Sequence, residues 1–287
     1  MPEFKLIGID IAKHVFQLHG IDAEDRPVLR RKMRRSQIEP FFAELEPCAI
    51  AIEACPSAHH WARRLSSLGH HVRLIPPKYV KPFVKRNKND ANDAEAIVEA
   101  APRPSMKFVP VKSEEQQALL MLHRTRSLLT KQETSLICAL RGHFAEFGII
   151  EAAGAHRAKR LIALIDDENV GIPALARESL RLIATQILGH QERLKEIDRR
   201  LRAIAHADET CRRLQTVPGI GPIIATAIAA TVPDANEFTS GRQFAAWLGL
   251  VPRQNSTGGK TRLGGISKQG NTYLRRLLIV GANSGMR

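Results

Sequence analysis

Between residues 180 and 204 the apolar side chains Leu180, Ile183, Ile187, Leu194, Ile197, Leu201 and Ile204 recur at spacings of three and four, with one interval of seven. That period holds one stripe of a helix to the same side for nearly four heptads, and such a stripe is stable only against a partner helix. Leu122, Leu129 and Leu136, each seven residues from the next, supply a candidate. The middle of the chain, about residues 111–207, is therefore expected to be a helical coiled coil, closed either as a hairpin or between subunits. Glu151 to Pro173 lacks a clean period and is expected to form the bend.

Residues 1–110 have another rhythm. Phe4 to Ile9, Val15 to His19 and Val28 to Met33 read as strands, Ser36 to Leu45 as a helix with Ser36 at its N-cap, and Ala49 to Ile52 as a fourth strand. His59 to Leu68 then reads as a helix and His71 to Ile75 as a fifth strand. Three consecutive strands followed by helix, strand, helix, strand indicate an α/β domain on a mixed sheet, not a purely parallel Rossmann order. Residues 208–287 are expected to be mostly helical. Leu214 to Val232 reads as helix, tight turn, helix around Pro218-Gly219-Ile220-Gly221-Pro222. In a helix-hairpin-helix-like turn, Gly219 and Gly221 would offer backbone N–H groups to phosphate; an ordinary helix corner uses the same residues.

Charge narrows the function. The 43 Lys and Arg against 29 Asp and Glu leave +14, and an isoelectric point near 10.1 points to a polyanionic partner, with DNA or RNA leading. Ribosome-associated and membrane-surface proteins carry similar charge. Thr239 to Arg287 holds eight Lys or Arg and no acid, as expected of a stretch facing phosphates. Hydrophobic residues at 44% exclude wholesale disorder. The uncharged run Leu214 to Pro233 is broken by Pro and Gly in its first half, which leaves too little apolar helix to span a bilayer. The first residues show no basic stretch before an apolar one, so no signal peptide is expected. Cys48, Cys55, Cys138 and Cys211 lack the spacing of a disulfide framework or zinc module, which fits a cytoplasmic protein.

Four carboxylates stand out. Asp10 lies in or just after an apolar strand and Glu53 ends another, and a carboxylate there is costly to bury unless it is paired or holds a metal. Asp90 and Asp93 open a helix at a spacing that places both on one face, although acids in a first turn also simply suit the helix dipole. Together they are an inventory for divalent ions in phosphodiester chemistry, and oxygen-only ligands suit Mg²⁺ or Mn²⁺. Just ahead, Lys78, Lys81, Lys85, Arg86 and Lys88 form a basic run without an acid, able to guide a backbone toward the metals. Residues 253–271 read as a loop of about twenty residues, commonly functional at that length. Its hydroxyls stand among Arg253, Lys260, Arg262 and Lys268, which suits either an activated nucleophile, Ser256 or Ser267, or a purely phosphate-binding loop.

Gly8-Ile-Asp-Ile-Ala-Lys13, Ile52-Glu-Ala-Cys55, the segment 84–96, Pro-Gly-Ile-Gly-Pro at 218–222 and the segment 248–260 together resemble the IS110 family of insertion-sequence transposases. Residues 76–82 and 264–268 resemble its IS1111 branch. The resemblance implies a RuvC-like domain of RNase H fold at 1–110, a coiled-coil segment at 111–207 and a C-terminal transposase domain at 208–287. It implies that Asp10, Glu53, Asp90 and Asp93 bind the metal and that Ser256 forms a covalent phosphoserine link to DNA. It also implies a homo-oligomer, dimer or tetramer, whose site joins the acids of one protomer to the serine of another. A structured noncoding guide RNA and a bacterial, nucleoid-associated setting complete the expectation. Relatives of this kind usually continue further beyond Leu274, so a truncated copy is one expectation. Two alternatives to the recombinase are a metal-dependent nuclease of RuvC type, in which water attacks, and a non-catalytic nucleic-acid-binding remnant.

Overall fold

The computed structural model describes residues 3–84, 90–152 and 154–285. The chain forms two compact units, Met1–Ser113 and Glu114–Arg287.

The first unit carries β1 (Leu6–Ile11), β2 (Val15–Ile21), β3 (Pro27–Arg34), α1 (Arg35–Ala43), β4 (Ala49–Glu53), α2 (Ala58–Ser67), β5 (His71–Ile75), α3 (Pro77–Val80) and α4 (Asp90–Ala100). The five strands form one sheet in the order β3-β2-β1-β4-β5. The first three pair antiparallel, and β1, β4 and β5 run parallel. This is the expected mixed sheet. The inner strands β1 and β4 are largely apolar on both sides because both faces there are covered. On one face Ile7, Ile9, Phe16, Leu18, Ile50, Ile52 and Leu74 pack against Ile38 and Phe42 of α1 and Trp61 and Leu65 of α2. On the other, Ala51 and Ile75 pack against Val80, Ala96, Ile97 and Ala100. The expected N-cap at Ser36 falls inside the helix instead. The Gln37 carboxamide accepts from the Arg34 backbone N–H at 2.8 Å, which pulls the start back to Arg35.

The second unit carries α5 (Glu114–Ala145), α6 (Ala155–Leu164), α7 (Ala174–Ala207), α8 (Glu209–Leu214), α9 (Pro222–Thr231), α10 (Gly241–Leu248), β6 (Pro252–Gln254), β7 (Leu263–Ile266) and α11 (Thr272–Gly285). The two long helices lie antiparallel. Arg126 meets Asp198, Glu133 meets Gln191, and Ile137, Leu140 and Phe144 share a core with Leu180, Ala184 and Ile187. The heptad stripe thus closes against the same chain: Leu201 is fully buried, Leu194 half-buried and Ile204 exposed. Leu122, Leu129 and Leu136 are only half-buried. The buried positions of α5 are His123, Ile137, Leu140 and Phe144, because α5 packs on α6 and α9 as well as α7. The expected bend contains α6, whose Leu161 and Ile165 enter the same core. No unit boundary falls at 207/208, since Ala205 of α7, Cys211 of α8 and Ala225 of α9 form one cluster.

One polar chain crosses this apolar interior. His123, 1% exposed, stands 3.0 Å from the Tyr273 hydroxyl and 3.1 Å from the Thr226 hydroxyl. Thr226 donates to the Pro222 carbonyl at 2.8 Å, so it accepts from Nε2–H of His123, and Nδ1 accepts from Tyr273. Burial, with the nearby Arg126 charge, pushes the imidazole down from 6.5 to about 4. The folded chain therefore keeps His123 neutral where the unfolded chain protonates it. Stability is complete above 6.5 and is lost as pH falls from 6.5 toward about 4, by an amount on the order of 3 kcal/mol. His123→Gln, which has no proton to gain, is expected to flatten that part of the stability curve in urea titrations at a series of pH values. Leu201→Ala is expected to cost about 2–5 kcal/mol in the same assay, because it empties an intrachain core.

Candidate functional site

The acidic site is built by strand register. Leu6, Ile7, Gly8 and Ile9 of β1 stand beside Ala49, Ile50, Ala51 and Ile52 of β4 in parallel alignment, so the next residues, Asp10 and Glu53, fall side by side at the carboxyl ends of neighbouring strands. Side chains alternate along a strand, which puts both acids on the face that carries Gly8 and Ala51. That is the face covered by α4. At Gly8 a Cβ would stand 2.6 Å from Val98 and 2.7 Å from the Ala94 carbonyl, so α4 rests directly on bare backbone. Asp93 adjoins that contact in the first turn of α4, with a half-buried side chain like those of Asp10 and Glu53.

Electrostatics ties the three together. Burial raises the Glu53 carboxyl above its ordinary value, and the Asp93 charge adds to the rise. Burial also raises the Cys55 thiol, with the Asp10 and Glu53 charges adding to it. Among the described residues no three His, Cys, Asp or Glu side chains are gathered closely enough to hold a metal ion. The Asp90 side chain lies outside the described residues, as do Lys85, Arg86 and Lys88 of the basic run. Lys78 and Lys81 are described, both exposed, with the Lys78 ammonium 4.6 Å from the centre of the Tyr79 ring. Asp10, Glu53 and Asp93 bring hard oxygen donors to one face of the sheet, the donor type a divalent cation takes, and burial, with the Asp93 charge adding to it, makes the Glu53 carboxyl hold its proton more tightly than usual.

The expected long loop of residues 253–271 is a β-hairpin. Strands β6 and β7 pair antiparallel, Thr257 bridges Lys260, and Gly258 and Gly259 turn the tip at φ 54 and 75°. Two consecutive glycines with positive φ make the tight turn that matches strand twist, which period counting could not distinguish from a flexible loop. Ser256 sits just before this turn, exposed. Its Oγ accepts from the Gln254 carboxamide at 2.9 Å and from the Arg262 backbone N–H at 3.3 Å. Arg253, Lys260, Arg262 and Lys268 are exposed, and Arg253 reaches back to the Ser267 carbonyl at 3.4 Å. Ser267 is half-buried with its N–H bonded to the Val251 carbonyl, and the Asn271 side chain caps α11.

Two residues escaped the sequence reading. Gln254 stands two positions before Ser256, the spacing that puts both on one side of a strand, and only the hairpin makes that spacing meaningful. Arg275 is buried, donating to the Leu248 carbonyl at 2.8 Å and the Gln269 carbonyl at 2.9 Å. It roots the hairpin instead of facing phosphate. The two glycines of the turn differ in their surroundings. A Cβ on Gly219, at φ 83°, would lie 2.5 Å from the Gly281 carbonyl, so Gly219 is occupied in packing against α11. Nothing stands within 4 Å of that position on Gly221.

A mixed five-stranded sheet of this order, with acids at adjacent parallel strand ends beneath a helix, fits the RNase H-like DEDD domain of enzymes that cut and rejoin DNA. The model of the DEDD transposase domain matches residues 7–149, and the model described as transposase IS116/IS110/IS902 family matches residues 211–287. The chain is 50% identical to a probable family 20 transposase of Pseudomonas aeruginosa, over 98% of this chain and 84% of that one. It is 45% identical to the transposase for insertion sequence element IS1328 of Yersinia enterocolitica, over 97% and 83%, and 42% identical to that for IS1111A of Coxiella burnetii, over 100% and 79%. The chain belongs to the IS110 family of insertion-sequence transposases, and its relatives are consistent with the IS1111 branch. No helix among the described residues is long and apolar enough to cross a membrane.

Gly8→Ala tests the acidic site. The added methyl must displace Val98 or the Ala94 carbonyl, at about 1–3 kcal/mol, and lifts the α4 acids from the strand acids. The expected result is a folded protein, by circular dichroism, whose divalent-metal-dependent DNA cleavage falls at least about tenfold.

Proposed function

We propose that this transposase cuts and rejoins DNA strands through Ser256, with Asp10, Glu53, Asp90 and Asp93 holding Mg²⁺ or Mn²⁺. The observation that carries the reading is the environment of Ser256. A primary alcohol is a poor nucleophile at neutral pH, and two N–H donors aimed at its oxygen stabilise the alkoxide form. Its oxygen attacks phosphorus, one phosphodiester P–O bond breaks, the departing strand oxygen takes up a proton and the serine proton passes to solvent. The phosphoserine ester conserves the bond energy, so a second strand hydroxyl reverses the step and rejoins DNA. Arg253, Lys260, Arg262 and Lys268 give the hairpin a positive surface for the backbone, while Lys78 and Lys81, with the neighbouring bases of that run, do the same beside the acids. A divalent ion, when bound by the acids, supplies charge stabilisation at the phosphoryl group.

The same reading takes the chain as a cytoplasmic, nucleoid-associated homo-oligomer, dimer or tetramer, directed by a structured noncoding RNA. The family resemblance of the segments 8–13, 52–55, 84–96 and 248–260 supports these points.

Ser256→Ala is expected to abolish a denaturant-resistant protein–DNA adduct that Ser267→Ala retains. Gln254→Ala is expected to slow adduct formation about tenfold, the worth of one hydrogen bond near 1.4 kcal/mol. Asp10→Asn and Asp93→Asn are expected to end cleavage while DNA binding in gel shifts stays within about twofold. An adduct surviving in Ser256→Ala, or wild-type products with free ends and no trapped protein, would replace the serine reading with water attack.

A further inference from the structure

Within the second unit, α5 and α11 enclose a groove of about 480 Å³ lined by Arg126, Ser127, Thr130, Lys131, Thr134, Ser135 and Arg276. The α5 members recur at spacings of three and one, which gathers small hydroxyl side chains and one lysine on a single helix face. We propose that this groove is a second nucleic-acid site, one that grips a phosphodiester backbone with residues that belong neither to the acidic set nor to the Ser256 hairpin. The proposal rests on the reading of this chain as an enzyme that handles DNA.

The lining is chemically one-sided. Arg126 is held by Asp198 at 2.5 Å, but Lys131 and Arg276 are exposed and take part in no ion pair among the described residues. Thr130 and Thr134 donate their hydroxyl hydrogens to the Arg126 and Thr130 carbonyls, so they offer nothing to an anion. Ser127 differs. Its oxygen accepts from the Arg276 guanidinium at 3.3 Å, which leaves its own hydroxyl hydrogen and further guanidinium donors to offer an anion. Ser127, Lys131 and Arg276 thus converge as hydroxyl, ammonium and guanidinium donors, the set that phosphate oxygens accept.

The groove is also firmly built. The Arg276 guanidinium lies 5.6 Å from the centre of the Tyr273 ring, and the Tyr273 hydroxyl is fixed through His123 to Thr226. Arg276 is thereby positioned from the interior before any ligand arrives, which lowers the entropy lost on binding. Among the described residues no aromatic side chain lines the groove for a base to stack on. A backbone running through, read without regard to sequence, is what the lining suits.

The test uses the full chain and two fluorescent probes, a short duplex DNA and a structured RNA, with affinity measured by anisotropy over a range of salt. Lys131→Gln with Arg276→Gln is expected to lower the slope of log K against log salt by about 1.8 on duplex DNA, or about 1.4 on single-stranded RNA segments. The probe that shows the loss identifies the source of the backbone. Arg199→Gln with Arg202→Gln, the same charge change on exposed residues of α7, is expected to leave the slope within about 0.5. Equal slopes for wild type and the groove variant, or equal losses in groove and control variants, would overturn the groove while leaving the DNA enzyme intact. Failure of wild type to bind either probe would overturn both.

Discussion

The acidic site depends on a side chain that is missing. Because Gly8 presents only backbone, α4 can sit against β1 at a distance no other residue would allow, with Val98 and the Ala94 carbonyl where a methyl would be. That contact brings Asp93 toward strand ends already carrying Asp10 and Glu53. The sheet register contributes the rest, since the parallel pairing of β1 and β4 aligns the two acids without any contact between them being required. The cost appears as the raised Glu53 carboxyl, whose charge is disfavoured first by burial and then by the Asp93 charge.

The hairpin follows a different plan. Its tip is exposed and polar, yet its base is tied to the interior by Arg275, whose guanidinium satisfies the carbonyls of Leu248 and Gln269. A buried cation surrounded by carbonyl oxygens is bound by dipoles instead of by a counter-ion, and it holds two loop segments at one point. Reach at the tip and rigidity at the root are thus assigned to different residues.

The sheet domain was legible in the sequence because strand alternation, helix period and turn residues agreed along residues 4–75, and the structure moves the expected ends by only a few residues. The strand-end acids were legible for the same reason. The heptads announced a paired helix but not its partner, since Leu201 looks identical whether its neighbour belongs to the same chain or to another. In residues 251–271 period said little: two short strands around Gly258-Gly259 leave too few residues to show alternation. The groove on α5 was invisible, because Lys131 and Arg276 lie 145 positions apart in number and only the fold brings them together.

The His123 to Tyr273 hydrogen bond joins residues 150 positions apart. During synthesis, the first unit holds all its sheet partners within its own 113 residues and can close early. The second unit cannot. Its longest helix pair leaves His123 facing an unfilled space until residues 272–285 have left the ribosome and α11 has docked. The polar interior therefore makes closure of the helical unit wait on α11, and the basic groove, which needs Arg276 on that helix, comes into being only with it.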